Sequence, residues 1–332
     1  MLQRPSYNPS PEVIERVRRE ARQGNYHQQY TLGLYYYYGL GLDADRDEAL
    51  SNFRSSAQGD YVLGMLGLAF LLEEGAPSEV EAALSWFLRV GEAGKAEGFY
   101  RAATILFEGR AVWKMRDTDV TYRLNERGVN FREAYRLFIK SAERGFVPAL
   151  DSLGLMCEYG AHSDSGEQDF RLAGEYYRRG CDWGISTEAV ELRRRLSPKI
   201  EVGVSVGTSP DPEACYHLGL MKAYGRGMHQ DFSKAVDLLV RANTLSEETL
   251  GVPHPPSSLL LGKLYANGQG VSPNYHTALA FFAAARDSGD IRVTEEASRL
   301  YTALDEQLLG AEEGVTATLK TLQEGLAEGK GL

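Results

Sequence analysis

Tyr38, Tyr159 and Tyr224 each stand immediately before a glycine, Gly39, Gly160 and Gly225, in stretches of closely similar text. Phenol rings repeated at one position would grip the apolar side chains of an extended peptide with little loss of side-chain entropy. Lys222, Lys263 and Asn267 lie in the same stretches. Their ammonium and amide groups would hold backbone carbonyls or a carboxylate of that peptide. The competing reading is that these tyrosines pack one repeat on the next, and residue types alone leave both open.

A second candidate lies at 110–127, where Trp113 and Tyr122 stand among Arg110, Lys114, Arg116, Arg123 and Arg127. An insertion of this kind maps to a loop on one face of a repeat array. It reads either as a binding appendage or as a solvated loop.

Catalytic and metal-binding patterns are missing from the text. No two histidines among His27, His162, His217, His229, His254 and His276 are spaced i, i+3 or i+4, and we expect neither a metal nor a cofactor. Gly225-Arg226-Gly227 and Gly268-Gln269-Gly270 lack a third glycine in register. They fall between helices, where a dinucleotide loop would follow a strand. The carboxylate neighbours Glu73-Glu74, Glu247-Glu248 and Glu312-Glu313 sit near helix ends or on exposed faces and carry no catalytic assignment. A net charge of -10, with most of the excess acid after residue 145, argues against a phosphate-backbone binder, which needs a basic stripe. An acidic second half would suit a basic partner or serve as a solvated surface.

Three cysteines, Cys157, Cys181 and Cys215, have no CxxC spacing and leave one over in any pairing. They read as buried thiols in a reducing compartment. The most apolar uncharged run, Tyr61 to Leu72, is 12 residues, short of the roughly 20 that a membrane span requires. The first residues, with Pro5, Pro9 and Pro11, lack a secretory apolar segment. The expected location is cytoplasmic.

The elements that would position these residues come from one repeated phrase. It has a Leu-Gly pair, a second glycine six residues on, then a helical pattern opening around an alanine. It reads Leu32-Gly33 to Gly39, Leu153-Gly154 to Gly160, Leu218-Gly219 to Gly225 and Leu261-Gly262 to Gly268, with Ala103 in the first glycine slot of another copy ending at Gly109. In the first copy, helix A runs from about Asn25 to Tyr38, Gly39 ends it, and Asp45 caps a helix B containing Ala49, Leu50, Phe53 and Ala57. Small residues let two helices approach, and the large residue after each alanine fills the space between pairs. Such pairs stack.

Leu261 to Val271, followed by Ala278 to Gly289-Asp290, resembles the Sel1-like repeats, relatives of the tetratricopeptide repeats. Copies at 24–59, 129–180 and 213–243 carry the same likeness. Departures occur: the second copy, about 60–94, delays its loop glycine to Gly75, and the fifth has Lys222 where Tyr36 and Tyr265 stand. The resemblance implies an all-α fold, a right-handed α/α superhelical solenoid of about six helix pairs with N- and C-terminal capping helices. It also implies a scaffold or adaptor that holds a protein or peptide in its concave face. The alternatives are a structural subunit of a larger membrane-associated or quality-control assembly, or an enzyme on a repeat scaffold. Secreted cysteine-rich relatives linked with β-lactam binding pair cysteines across each repeat, which this chain is not expected to do.

The domain reading is an N-terminal tail and capping helix over 1–24 and a four-repeat block over 25–196 with the 110–127 insertion. A long loop over 197–212, with at most a short strand near Val202 to Val206, leads to a two-repeat block over 213–290. C-terminal helices occupy 291–332. A second loop is expected from Ser246 to Ser257, around Pro253, Pro255 and Pro256.

Overall fold

The computed structural model describes residues 4–110, 130–163, 165–183 and 209–309. Among these residues every regular element is a helix and there is no strand. Helix α1 (Pro11–Arg22) precedes the pairs α2 (Tyr26–Tyr38) with α3 (Arg46–Gln58), and α4 (Val62–Glu73) with α5 (Pro77–Glu92). Next come α6 (Ala96–Phe107) with α7 (Phe131–Glu143), then α8 (Pro148–Glu158) and α9 (Phe170–Cys181). The last pairs are α10 (Pro212–Tyr224) with α11 (Phe232–Leu250), and α12 (Pro255–Asn267) with α13 (Tyr275–Asp287). Residues 294–309 form a further helical run. Trp113 and Tyr122, residues 185–196, the stretch from Val202 to Val206 and everything beyond 309 lie outside the described residues, as does most of the 197–212 segment.

The repeated alanine and the large residue four positions on make the core of each pair. Ala49, Ala83, Ala134, Ala173, Ala235 and Ala278 are fully buried, and their partners Phe53, Phe87, Phe138, Tyr177, Leu239 and Phe282 are at most 3% exposed. The Leu-Gly glycine supplies the room. A Cβ on Gly33 would lie 2.6 Å from the Phe53 ring, one on Gly67 2.8 Å from the same ring, and one on Gly262 2.5 Å from Phe282. Phe53 is thus wedged against its own helix A and the next one.

Capping residues set the helix boundaries. Asn25, Asp45, Asn130, Asp231 and Asn274 accept a backbone N–H from the first turn of the helix that follows, satisfying a donor with no partner inside the helix. Arginines link three of the B helices to the end of the previous one. Arg89 pairs with Asp60 at 3.1 Å, Arg144 donates to the Gly91 carbonyl at 3.4 Å, and Arg241 donates to the Cys181 carbonyl and pairs with Asp182 at 3.0 Å. A cation there also meets the negative end of the helix dipole.

The chain divides into two compact units. The first comprises Met1–Ala173 and Trp183–Ser209, the second Gly174–Asp182 and Pro210–Leu332. The division falls within α9, so the tail of that helix belongs with the second unit.

Two expectations fail. The loop from Ser246 to Ser257 is mostly helix, because α11 continues to Leu250 and α12 begins at Pro255, leaving only Gly251 to His254 between them. Pro255 and Pro256 occupy the first helical positions, where a missing N–H costs nothing. The cysteines are not three thiols. Cys181 and Cys215, 34 residues apart, form a disulfide within the second unit, and only Cys157 is a free buried thiol. One cysteine pair therefore does bridge neighbouring repeats.

Candidate functional site

The loop that follows helix A is built the same way in several repeats. The N–H of Asp45 donates to the Tyr36 carbonyl at 3.0 Å, that of Asp169 to Cys157 at 2.9 Å, that of Asp231 to Lys222 at 2.9 Å and that of Asn274 to Tyr265 at 3.0 Å. Each acceptor lies three residues before the loop glycine. Gly39, Gly160, Gly225 and Gly268 have φ between 65° and 71°, a backbone shape that glycine adopts without a Cβ clash. The residue just before that glycine is therefore held at the helix end in each repeat. Tyr38, Tyr159, Tyr224 and Asn267 occupy this position.

Tyr38 and Tyr159 belong to the first unit. Tyr38 is half-buried against the cluster of Ile14, Val17, Leu32, Tyr35 and Leu40, and its ring meets Tyr37 edge-on at 4.7 Å. Burial, with the nearby Glu74 carboxylate adding to it, pushes its hydroxyl above the ordinary tyrosine pKa. Tyr159 is 72% exposed. It stands at the rim of a cavity of about 460 Å³ lined also by Phe107, Phe131, Ala161, Ser163 and Ser165. The rings of Phe107 and Phe131 lie 5.5 Å apart.

Lys222, Tyr224, Lys263 and Asn267 belong to the second unit. Tyr224 is 56% exposed, and the Arg226 guanidinium lies 5.6 Å from its ring centre. Asn267 is exposed as well. Lys263 pairs with Glu296 at 2.9 Å, so a partner's carbonyl or carboxylate would have to compete with that carboxylate. Counted from the loop glycine, Lys263 lies five residues back and Lys222 three. The two lysines are not in register with one another.

Sequence reasoning missed a polar cluster in the second unit. His254, nearly fully buried, caps α12: its Nδ1 accepts the Ser257 N–H at 3.3 Å and lies 2.8 Å from the Ser257 hydroxyl. Its Nε2 lies 3.3 Å from Glu213, which Arg292 approaches at 3.5 Å. Burial opposes ionisation of Glu213, but His254, Arg292 and His217 outweigh it and hold the carboxyl below the usual carboxylate range. Only a capping histidine just before Pro255-Pro256 hinted at it. Among the described residues no group of His, Cys, Asp or Glu is placed to hold a metal. No described helix is long and apolar enough to cross a membrane.

The Sel1 repeat family matches residues 29–61, 62–95, 126–146, 147–182, 212–246 and 255–290, more than half of the chain. The chain belongs to the Sel1 repeat family. A Sel1 repeat protein of known structure from Oxalobacter formigenes superposes with a TM-score of 0.56 at 18% identity, covering 83% of this chain and 99% of that one. An uncharacterized protein of Neisseria meningitidis serogroup B is 26% identical over 260 residues, which are 77% of this chain and 50% of that protein. The chain thus spans about half the length of the curated relative it matches. The Sel1 repeat is a structural unit that generally mediates protein–protein contact. It explains the fold.

Proposed function

We propose that this Sel1 repeat chain is a non-catalytic scaffold that holds extended segments of a partner protein at the ends of its A helices, one against Tyr159 and another against Tyr224. The supporting observation is the exposure of these rings at a position the repeat fixes. Tyr177, a packing tyrosine, is fully buried, whereas Tyr159 is 72% exposed. Lys222 and Asn267 supply polar contacts in the second unit, and Lys263 does so only in exchange for Glu296. A cytoplasmic location loses one of its supports, because two of the three cysteines are joined. We take the working compartment to be an oxidising one, where such a bond persists.

A photoreactive phenylalanine analogue at position 159 or 224, introduced into the cells of origin, tests the reading. Both positions should cross-link to one and the same protein, and the same probe at Tyr7, 55% exposed, should not. Equal adducts at all three positions would contradict it.

A further inference from the structure

In the first repeat the position before the loop glycine is already covered, by a segment of the chain itself. Residues 4–9, which precede α1, meet the end of α2 and the loop after it. The Arg4 guanidinium lies 6.0 Å from the Tyr38 ring centre, a range in which the ring quadrupole attracts a cation. The Tyr7 and Tyr35 hydroxyls are 3.1 Å apart. Pro9 is buried, and a Cβ on Gly41 would lie 3.1 Å from its carbonyl oxygen. This seat is particular to the first repeat, because Leu71, Ile105, Met156, Met221 and Leu264 stand where Tyr35 stands, four residues before the loop glycine. None of them offers a hydroxyl.

The hold is light. Arg4, Ser6, Tyr7 and Asn8 are exposed, and of the segment only Pro9 is buried. Among the described residues no main-chain hydrogen bond ties residues 4–9 to the rest of the chain. What holds them is a cation over a ring, one part-buried pair of hydroxyls and one proline. Segments with so few contacts open locally well before a protein unfolds. Pro5 and Pro9 keep the residues before them out of the helical region, so the segment is extended on the repeat and off it. An extended segment lying on a helix-A tyrosine is what the scaffold reading expects of a partner.

We propose that residues 4–9 are an internal strap over the first repeat, displaced when a partner brings an extended segment of the same chemistry, a cation and a phenol ahead of a proline. A strap tethered through Ser10 to α1 acts at an effective concentration of the order of millimolar. A free peptide therefore competes poorly with it. A partner already held at Tyr159, which belongs to the same unit, is tethered as well and competes on equal terms. This inference rests on the scaffold reading above, and it makes Tyr38 a further contact whose access the strap controls.

The probe is a fluorescein-labelled peptide with the sequence of residues 4–10, Arg-Pro-Ser-Tyr-Asn-Pro-Ser, titrated by anisotropy against the full chain. Arg4→Gln with Tyr7→Phe removes both contacts to the end of α2 and should tighten peptide binding at least fivefold over wild type. A chain lacking residues 2–9, which keeps the Ser10 cap of α1, should tighten it at least tenfold. Tyr38→Ala added to either should cancel most of the gain, and Tyr159→Ala should leave it intact. Binding to neither loosened chain, or equal binding to wild type and both, overturns the strap, as does a gain that Tyr38→Ala leaves intact. Should the shortened chain fail to unfold cooperatively, the doubly substituted chain decides alone. A strap that fails while positions 159 and 224 still cross-link a partner leaves the scaffold reading standing. Peptide binding that behaves as expected while neither position cross-links keeps the strap and removes the scaffold sites.

Discussion

The two units share one repeated text, but each holds its own repeats together by different chemistry. In the first, aromatic wedges do the work: Phe53 lies between Gly33 and Gly67, and Phe70 meets Phe87 edge-on at 5.4 Å. In the second, the joints are polar and covalent. Asn243 donates to the Ser258 hydroxyl at 3.1 Å, His254 links Ser257 to Glu213, and Cys181 is bonded to Cys215. The repeat thus specifies the packing inside a pair and leaves the joint between pairs free to vary. The same freedom extends to the loops, which is why one slot tyrosine is covered, another carries its own arginine and a third is open.

The comparison breaks most visibly at Phe53. Phe53→Ala removes a ring that is fully buried between two A helices, and we expect a loss of about 3–5 kcal/mol in denaturant titration. A loss under 1 kcal/mol would mean that the wedge does not hold the first unit. Next comes the disulfide. Cys181→Ser with Cys215→Ser opens a 34-residue loop, for which chain entropy gives about 4 kcal/mol. Hydrogen exchange should show faster opening of amides in α10 and α11 and unchanged amides in α2 to α5; equal change in both would erase the contrast.

Glycine contacts sharpen the comparison further. Gly262→Leu and Gly219→Leu should each cost about 1–3 kcal/mol by overpacking, more at Gly262. A Cβ there meets Phe282 at 2.5 Å, against 3.1 Å from Leu239 at Gly219. Reversed order in thermal unfolding would show that ring stiffness does not set the cost. The smallest effect is at Glu213. Its carboxyl is held below the usual range, so its contribution is present above the unfolded-state pKa and is lost as pH falls through the folded one. Because the side chain is partly solvated, Glu213→Gln should cost only about 1 kcal/mol at pH 7. The deficit should shrink below about pH 4. A deficit independent of pH would point to packing instead.

Much of the fold was legible because capping and packing are local. Asp45 and Gly39 bound α2 and α3 as their types require, and the alanine with its large neighbour reads straight through to the core. The failures were of another kind. Pro255 and Pro256 read as loop formers, although two prolines after a capping residue equally start a helix. Cys181 and Cys215 are separated by 34 residues, about one repeat, which brings them together only once the repeats are stacked. Lys263 looked available because Glu296 is 33 residues away in the chain, with nothing local to announce the pair. The slot tyrosines share a sequence position, but their surroundings come from residues far off in the chain: Arg4 for one, Phe107 and Phe131 for another.

The central claim is that the open slot at Tyr159 serves a partner and not the fold. Its most direct test is isothermal titration of the cross-linked partner, once identified, against wild type and Tyr159→Ala, with the unfolding temperature of each recorded. The account predicts binding at least fivefold weaker with an unchanged unfolding temperature. Unchanged affinity, or weaker binding accompanied by a lower unfolding temperature, would contradict it.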